Sequence, residues 1–215
     1  SGNISQWNDL SGNDSHLTAS GSDQPLHHSA LTSNAVQFGS DDRMSGTTTL
    51  GSQPNTYYFV FKGMANDGNT QRPLHIGSQQ LYYSSSAVWG GNFGSYSESI
   101  TDWRIWKYEF NGSDSELVID NTQKYTGSTT DGATGTFMMG GHTSWGNYCN
   151  GCEFAEFLGY NAALTAEEDE AIYDFLHAKW LGDGVETETT VPEKPYVPAD
   201  DSWLYSYPNV PVTTT

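Results

Sequence analysis

The chain has 215 residues, enough for one large all-β domain with a tail or for two small domains, and the first suits it better. A formal charge of −18, with 8 Lys and Arg against 26 Asp and Glu, excludes phosphate-directed nucleic-acid binding and adhesion to an anionic membrane surface. No apolar run approaches the ~20 residues of a membrane span, and the hydrophobic fraction is 35%, with Gly, Ser, Thr and Asn filling the gap as in a turn-rich sandwich. Aromatics reach 13%, more than a core needs, which points to a binding surface. The sequence starts at Ser1 without Met and shows no signal peptide, as expected of a processed product or a fragment.

In chain order, Ile4 to Trp7 alternates as a short strand, and Asn8 to Asp14 is a polar turn rich in carboxylates and amides. Ser15 to Ala19 is a second short strand. Gly21 to Ser33 reads as loop, with His27 and His28 in solvent. Ala35 to Phe38 is a strand running into the turn at Gly39 to Met44. Tyr57 to Phe61 lacks alternation and is the most hydrophobic stretch, so it reads as a central strand buried on both faces. Pro73 to Gly77 and Gln79 to Ser84 form a hairpin, and Ala87 to Trp89 adds a strand before a glycine-rich loop. From Thr101 to Phe110, Trp103, Ile105, Lys107 and Glu109 oppose Arg104, Trp106, Tyr108 and Phe110. The turn at Asn111 to Asp114 leads to a return strand over Glu116 to Asp120, and Phe137 to Gly140 gives another. Ten to fourteen strands in two sheets are expected.

Thr165 opens the one clear helix. Thr165-x-x-Glu168 is a capping box, Glu167, Glu168, Asp169 and Glu170 suit the positive end of the dipole, and Ile172, Phe175, Leu176 and Trp180 make an apolar face. Gly182 is expected to cap its end. The fold class is therefore all-β: a two-sheet antiparallel β-sandwich, or jelly roll, with one C-terminal helix packed on it. Residues 1–182 form that domain. Residues 183–215, rich in Pro and acidic residues, form an extended arm whose Trp203, Tyr205 and Tyr207 dock on this domain or on a neighbouring subunit.

Cys149 and Cys152 bracket an Asn-Gly turn. A disulfide, or two thiols bracing the turn, suits them best; zinc, with only His142 nearby, and redox chemistry stay open.

Three segments carry a family resemblance: Trp7 to Asn13, Val36 to Met44, and Glu153 to Trp180. In this order they resemble the laminin-G-like, concanavalin A-like lectin/glucanase superfamily, whose domains occur in bacterial surface and phage virion proteins. The resemblance spans roughly residues 1–182, with Gly39 and Met44 departing from the usual Asp and Leu. A leading strand that usually precedes the first segment is missing. The resemblance implies a structural role for Glu156, bonding nearby loop amides, and places the loops at Asp9 to Asp14 and Asp41 to Asp42 together at one rim.

Retaining glucanases of this superfamily carry E-x-D-x-x-E on one strand, with the carboxylates ~5 Å apart. That motif is absent, and Glu153 and Glu156, three apart, are expected on opposite strand faces. A non-enzyme is expected. Asp9, Asn13, Asp14, Asp41 and Asp42 offer hard oxygens to Ca2+, or cap their own turns. Two loops combine aromatic rings, amides and glycine as a glycan site needs: Trp89, Asn92, Phe93 and Tyr96 in one, His142, Trp145, Asn147 and Tyr148 in the other. The alternative is that Trp89 and Trp145 pin long loops to the sandwich edge, while Trp7, Trp103, Trp106 and Trp180 belong to the core or dock the helix.

The expected function is a non-catalytic, lectin-like module that binds carbohydrate in adhesion, at the cell surface, outside the cell or on a virion. The alternative is a structural subunit of a virion or filament, such as a capsid or tail decoration protein, assembled through the arm. Partners are glycans or neighbouring subunits, without nucleic acid or membrane insertion.

Overall fold

The computed structural model describes residues 2–11, 13–30, 33–48, 50–64, 70–84, 87–90, 95–130, 132–142, 149–182 and 203–206. In chain order the strands are β1 Gln6–Trp7, β2 Leu17–Thr18, β3 Leu26–Ala30, β4 Ser33–Gln37, β5 Met44–Thr48, β6 Asn55–Lys62, β7 Gln71–Ile76 and β8 Gln79–Ser84. They continue as β9 Ala87–Gly90, β10 Ser95–Tyr96, β11 Arg104–Phe110, β12 Ser115–Ile119, β13 Gln123–Gly127, β14 Gly135–Met139, β15 Glu153–Tyr160 and β16 Trp203–Ser206, with helix α1 at Ala166–Trp180.

Two antiparallel sheets face each other. The front sheet runs β1-β2-β5-β14-β7-β8-β9-β10, and the back sheet runs β13-β12-β11-β6-β15-β4-β3. On one side of β15, β4 pairs with Glu153 and Phe154 while β16 pairs with Leu158 to Tyr160.

Alternation explains the layers. Along β6, Tyr57, Phe59 and Phe61 enter the core between the sheets, and Tyr58 and Val60 enter a second cluster with Ile172, Leu176 and Trp180 of the helix. Along β11, Trp106, Tyr108 and Phe110 point into the same core, and Ile105 lies under the helix. The Phe59 and Trp106 rings stack with centroids 6.4 Å apart. Each such side chain contributes roughly 1.5–3 kcal/mol by leaving water. A back sheet buried on both sides is why Tyr57 to Phe61 shows no polar position. Trp7 also lies in the inter-sheet core, whereas Trp103 and Trp180 pack at the helix.

The capping box forms in full: the Glu168 N–H donates to Thr165 Oγ1 at 3.3 Å and the Thr165 N–H to Glu168 Oε2 at 2.7 Å. The helix closes at Leu181, one residue before the expected glycine, and both the Leu181 and Gly182 N–H groups donate to the His177 carbonyl.

Other expectations need correction. The described residues hold sixteen strands rather than ten to fourteen, because β5, β10 and β13 lie in stretches too polar or too short to show a period. Residues 26–30 are a strand, not loop: β3 forms a hairpin with β4, which places His28 Nδ1 2.9 Å from Glu153 Oε2 instead of in open solvent.

Candidate functional site

The sandwich has two outer faces. On the back sheet the helix closes one. There Lys107 is buried and its ammonium meets Glu116 Oε1 at 2.9 Å, Glu109 Oε2 at 3.2 Å and Asp169 of the helix. Tyr58 adds a hydrogen bond to Asp169 Oδ1 at 2.6 Å. The oxygens of Glu109, Glu116 and Asp169 lie within 4.8 Å of one another, and the ammonium sits where a cation would. Burial opposes the Lys107 charge, but the hydrogen bonds and charges of Asp169 and Glu116 outweigh it and hold its pKa above the usual lysine range. Glu156 is also buried here. It accepts from Lys179 Nζ at 3.0 Å and from Trp180 Nε1, so it ties the strand to the helix end rather than to loop amides. Burial raises its pKa despite these partners.

On the front sheet, Leu74, Ile76, Leu81, Tyr83, Phe137 and Met139 point inward. Their neighbours in the alternation therefore face outward: His75 beside Met138 of β14 and Gln80 of β8, with Tyr82 two residues on. A bulge between Gln71 and Leu74 places Arg72 with its guanidinium carbon 5.6 Å from the Tyr82 ring centre. After β14 the chain turns at Gly140, whose N–H donates to the Pro73 carbonyl, and brings the His142 ring to 4.4 Å from that of His75. Arg72, His75, Tyr82 and His142 thus form one patch floored by the buried Met138. Burial lowers the His75 pKa to about 4, helped by the charges of His142 and Arg72. Burial and Arg72 lower that of His142 as well. A hydrogen bond at the Gly77 backbone works against the shift at His75 without overcoming it.

Of the expected glycan residues that the structure describes, one reaches this patch. His142 belongs to it, whereas Trp145, Asn147 and Tyr148 lie outside the described residues, as do Asn92 and Phe93. The backbone of Trp89 pairs with Tyr82. Tyr96 is a packing residue: it stacks on Tyr125 at 4.0 Å and donates to the Thr126 carbonyl, joining β10 to β13. The described ends of the two loops stand apart. The chain leaves β9 at Gly90, at the end of the sheet where β8 begins, while His142 stands where β7 begins.

No protein-family model matches the chain, and no curated protein matches it in sequence. Solved structures do match in fold. The chain is similar to part of a Trypanosoma rangeli sialidase determined with sialic acid, at a TM-score of 0.63 and 14% identity, over 85% of this chain and 32% of that one. It is similar to an arabinofuranosidase determined with arabinofuranosyl-alpha-1,2-xylobiose, at 0.61 and 14%, over 80% of this chain and 50% of that one. A third match is domain 4 of AbnA, a GH43 extracellular arabinanase from Geobacillus stearothermophilus determined with arabinotriose, at 0.52 and 11%, over 77% of this chain and 96% of that one. The chain thus spans about a third to a half of the first two proteins, and at these identities the likeness is one of fold.

The remaining candidates fall elsewhere. Asp9 and Asp42 accept from backbone amides, Asp9 from Ser11 and Ser15 and Asp42 from Gly39, which is turn capping. Asn13 donates its backbone N–H and its Nδ2 to Ser11 Oγ, and Asp14 and Asp41 are exposed. The two loops do not share a rim. Thr18 pairs with Ser45, so residues 9–14 lie toward the Thr48 end of β5 and Asp41 and Asp42 precede its Met44 end. Antiparallel order overrides what the resemblance implied. Glu153 and Glu156 also differ from expectation: a bulge between Phe154 and Glu156 pairs them with Lys62 and Val60, so both share the outer face. Each is engaged, Glu153 with His28 and Lys62, Glu156 with Lys179 and Trp180.

Cys149 and Cys152 are joined by a disulfide. In the arm, the backbones of Trp203 and Tyr205 pair with Tyr160 and Gly159 of the same chain, and Tyr207 lies outside the described residues.

Arg72, His75 and Tyr82 escaped the sequence reading. Their signal was weak: polar residues on one side of a recognised hairpin, with a bulge beside Arg72 that no local pattern announces.

Proposed function

We propose that this domain is a non-catalytic, concanavalin A-like carbohydrate-binding module acting outside the cell, on a cell or virion surface, and that it takes its ligand on the outer face of the front sheet. The patch of Arg72, His75, Tyr82 and His142 carries this reading, because it gathers ring faces and polar donors on the sheet face that the helix leaves open. Its location between Gly90 and His142, from which the two aromatic loops depart, supports a binding groove across β14, β7, β8 and β9. The fold likeness to pieces of proteins determined with sialic acid, a xylobiose derivative and arabinotriose supports a sugar as ligand class. Engagement of Glu153 and Glu156 in structural ion pairs supports a role without catalysis. Pairing of the arm within the chain gives the assembly-subunit alternative no particular support.

The test is binding across a glycan panel by the wild type and by Tyr82→Ala, Trp89→Ala and Trp145→Ala. Loss in Tyr82→Ala and in at least one Trp variant is expected, with far-UV circular dichroism unchanged. Binding untouched by all three would remove this face as the site.

A further inference from the structure

We infer that the contact between His75 and His142 is an acid-sensitive latch: protonation parts the two imidazoles, carries His142 off the front sheet and dismantles the patch, so that a ligand held at neutral pH is released in acid. The release of ligand rests on the carbohydrate-binding reading, whereas the latch stands on the geometry.

The argument starts from what holds each imidazole. His75 lies within β7, paired with Met138 of β14 on one side and with Gln80 of β8 on the other, so its backbone cannot yield without breaking the sheet. His142 stands beyond the end of β14, past the turn at Gly140. That turn is pinned: the Gly140 N–H donates to the Pro73 carbonyl at 2.9 Å, and the Gly140 carbonyl accepts from the Cys149 N–H at 2.7 Å. Cys149 is tied in turn to Cys152 by the disulfide, and the Gly151 N–H donates to the Phe38 carbonyl. One residue, Gly141, separates the anchored turn from His142. A push between the rings therefore displaces His142 and leaves β7 in place.

The push is electrostatic. The rings meet edge to face with centroids 4.4 Å apart, and His142 is only 7% exposed. The groups facing His75 are Met138 from β14, Gln80 and Tyr82 from β8, Arg72 from its own strand and His142 from the following turn, with a hydrogen bond at the Gly77 backbone. The charges acting on His75 are His142 and Arg72, and both oppose a proton on it. Like charges at this separation repel strongly where water is excluded. Burial first, and then these neighbours, hold His75 below the ordinary histidine value, and burial and Arg72 do the same to His142.

Linkage sets the sign. In the folded protein His75 has a pKa of about 4 against an ordinary 6.5, so the closed latch binds fewer protons than the open one. Its share of closure is complete above 6.5 and is lost as pH falls through about 4. The gap between the two values favours opening by up to roughly 300-fold in acid.

Hydrogen exchange on the unliganded protein tests the latch, read at the buried amides of Gly141 and His142, with Ile76 of β7 and Met139 of β14 as controls. Once the intrinsic pH dependence of exchange is divided out, opening at Gly141 and His142 should rise at least about tenfold over the controls from pH 7.5 to pH 4.5, all pH values being those of the experiment. His75→Gln, which cannot titrate, should remove most of that rise. Calorimetry with the tightest-binding neutral glycan of the panel tests the consequence: affinity should fall at least about twofold by pH 4, where half of the His75 rings carry charge. Opening that is flat with pH, or that rises equally at Ile76 and Met139, overturns the latch. Opening that rises while affinity stays flat overturns the release of ligand and moves carbohydrate binding to another surface. No binding of any glycan at pH 7.5 removes the carbohydrate reading, and the exchange result decides the latch without it. The wild-type exchange profile is decisive even if His75→Gln fails to fold.

Discussion

Gly140 shows how a single residue can fix the site. It sits at φ +85°, and a Cβ there would run into the Phe38 ring. Gly140→Ala should cost roughly 1–3 kcal/mol for the clash and about 1 kcal/mol more for the left-handed backbone. Gly112, at φ +57° with no atom near its missing Cβ, is the control: Gly112→Ala should cost only the backbone share of about 1 kcal/mol. Urea midpoints of the two variants check the difference. Glu156 makes a second case. Glu156→Ala strands the Trp180 N–H and frees Lys179, which can reach water, so a loss of about 1–3 kcal/mol is expected. Glu156→Gln, which keeps an acceptor, should lose less. A structural role for Glu156 was legible only through the resemblance of the closing segment, which put loop amides and not Lys179 and Trp180 around it. Its partner was not, because the bulge between Phe154 and Glu156 changes which face the side chain takes and no residue type there signals a bulge.

At the scale of elements, the helix is held to the back sheet through Lys107, Glu116 and Asp169. Burial pushes the Glu116 pKa up, but hydrogen bonds from Lys124 and Lys107 outweigh it and hold it below the ordinary glutamate value of 4.5. The stabilisation is therefore complete above 4.5 and is lost as pH falls through the folded-state value. The raised pKa of Lys107 acts at the other limit: its share is complete below 10.5 and disappears as pH climbs through the folded-state value. Thermal unfolding against pH should show a broad plateau with an acid limb, and Glu116→Gln should lower the plateau and flatten that limb. The helix itself was fully legible, since a capping box and an apolar stripe are local patterns. The alternation of Ile105 and Lys107 with Trp106 and Tyr108 was legible too. That the polar side of β11 would lie under the helix was not, because it depends on where a distant segment packs.

For the whole molecule, the sandwich and its closing helix follow from alternation and turn spacing, whereas the sheet order does not. Antiparallel order sends the two acidic loops to opposite ends, and likewise Gly90 and His142 where the aromatic loops depart, and no single segment of sequence records that. The arm affects the molecule as a whole. β16 covers the stretch of β15 that β4 leaves unpaired, so deleting residues 183–215 should expose the N–H and C=O groups of Leu158 to Tyr160 as an open strand edge. Self-association of the truncated protein is expected in sedimentation velocity, with its thermal transition still cooperative; a monomeric truncated protein would count against this role for β16. The charge of the whole molecule has a kinetic consequence as well. With −18 on the chain, a polyanion approaching it meets net repulsion beyond about a Debye length, ~10 Å at 0.1 M salt, so added salt should quicken the encounter with any anionic partner.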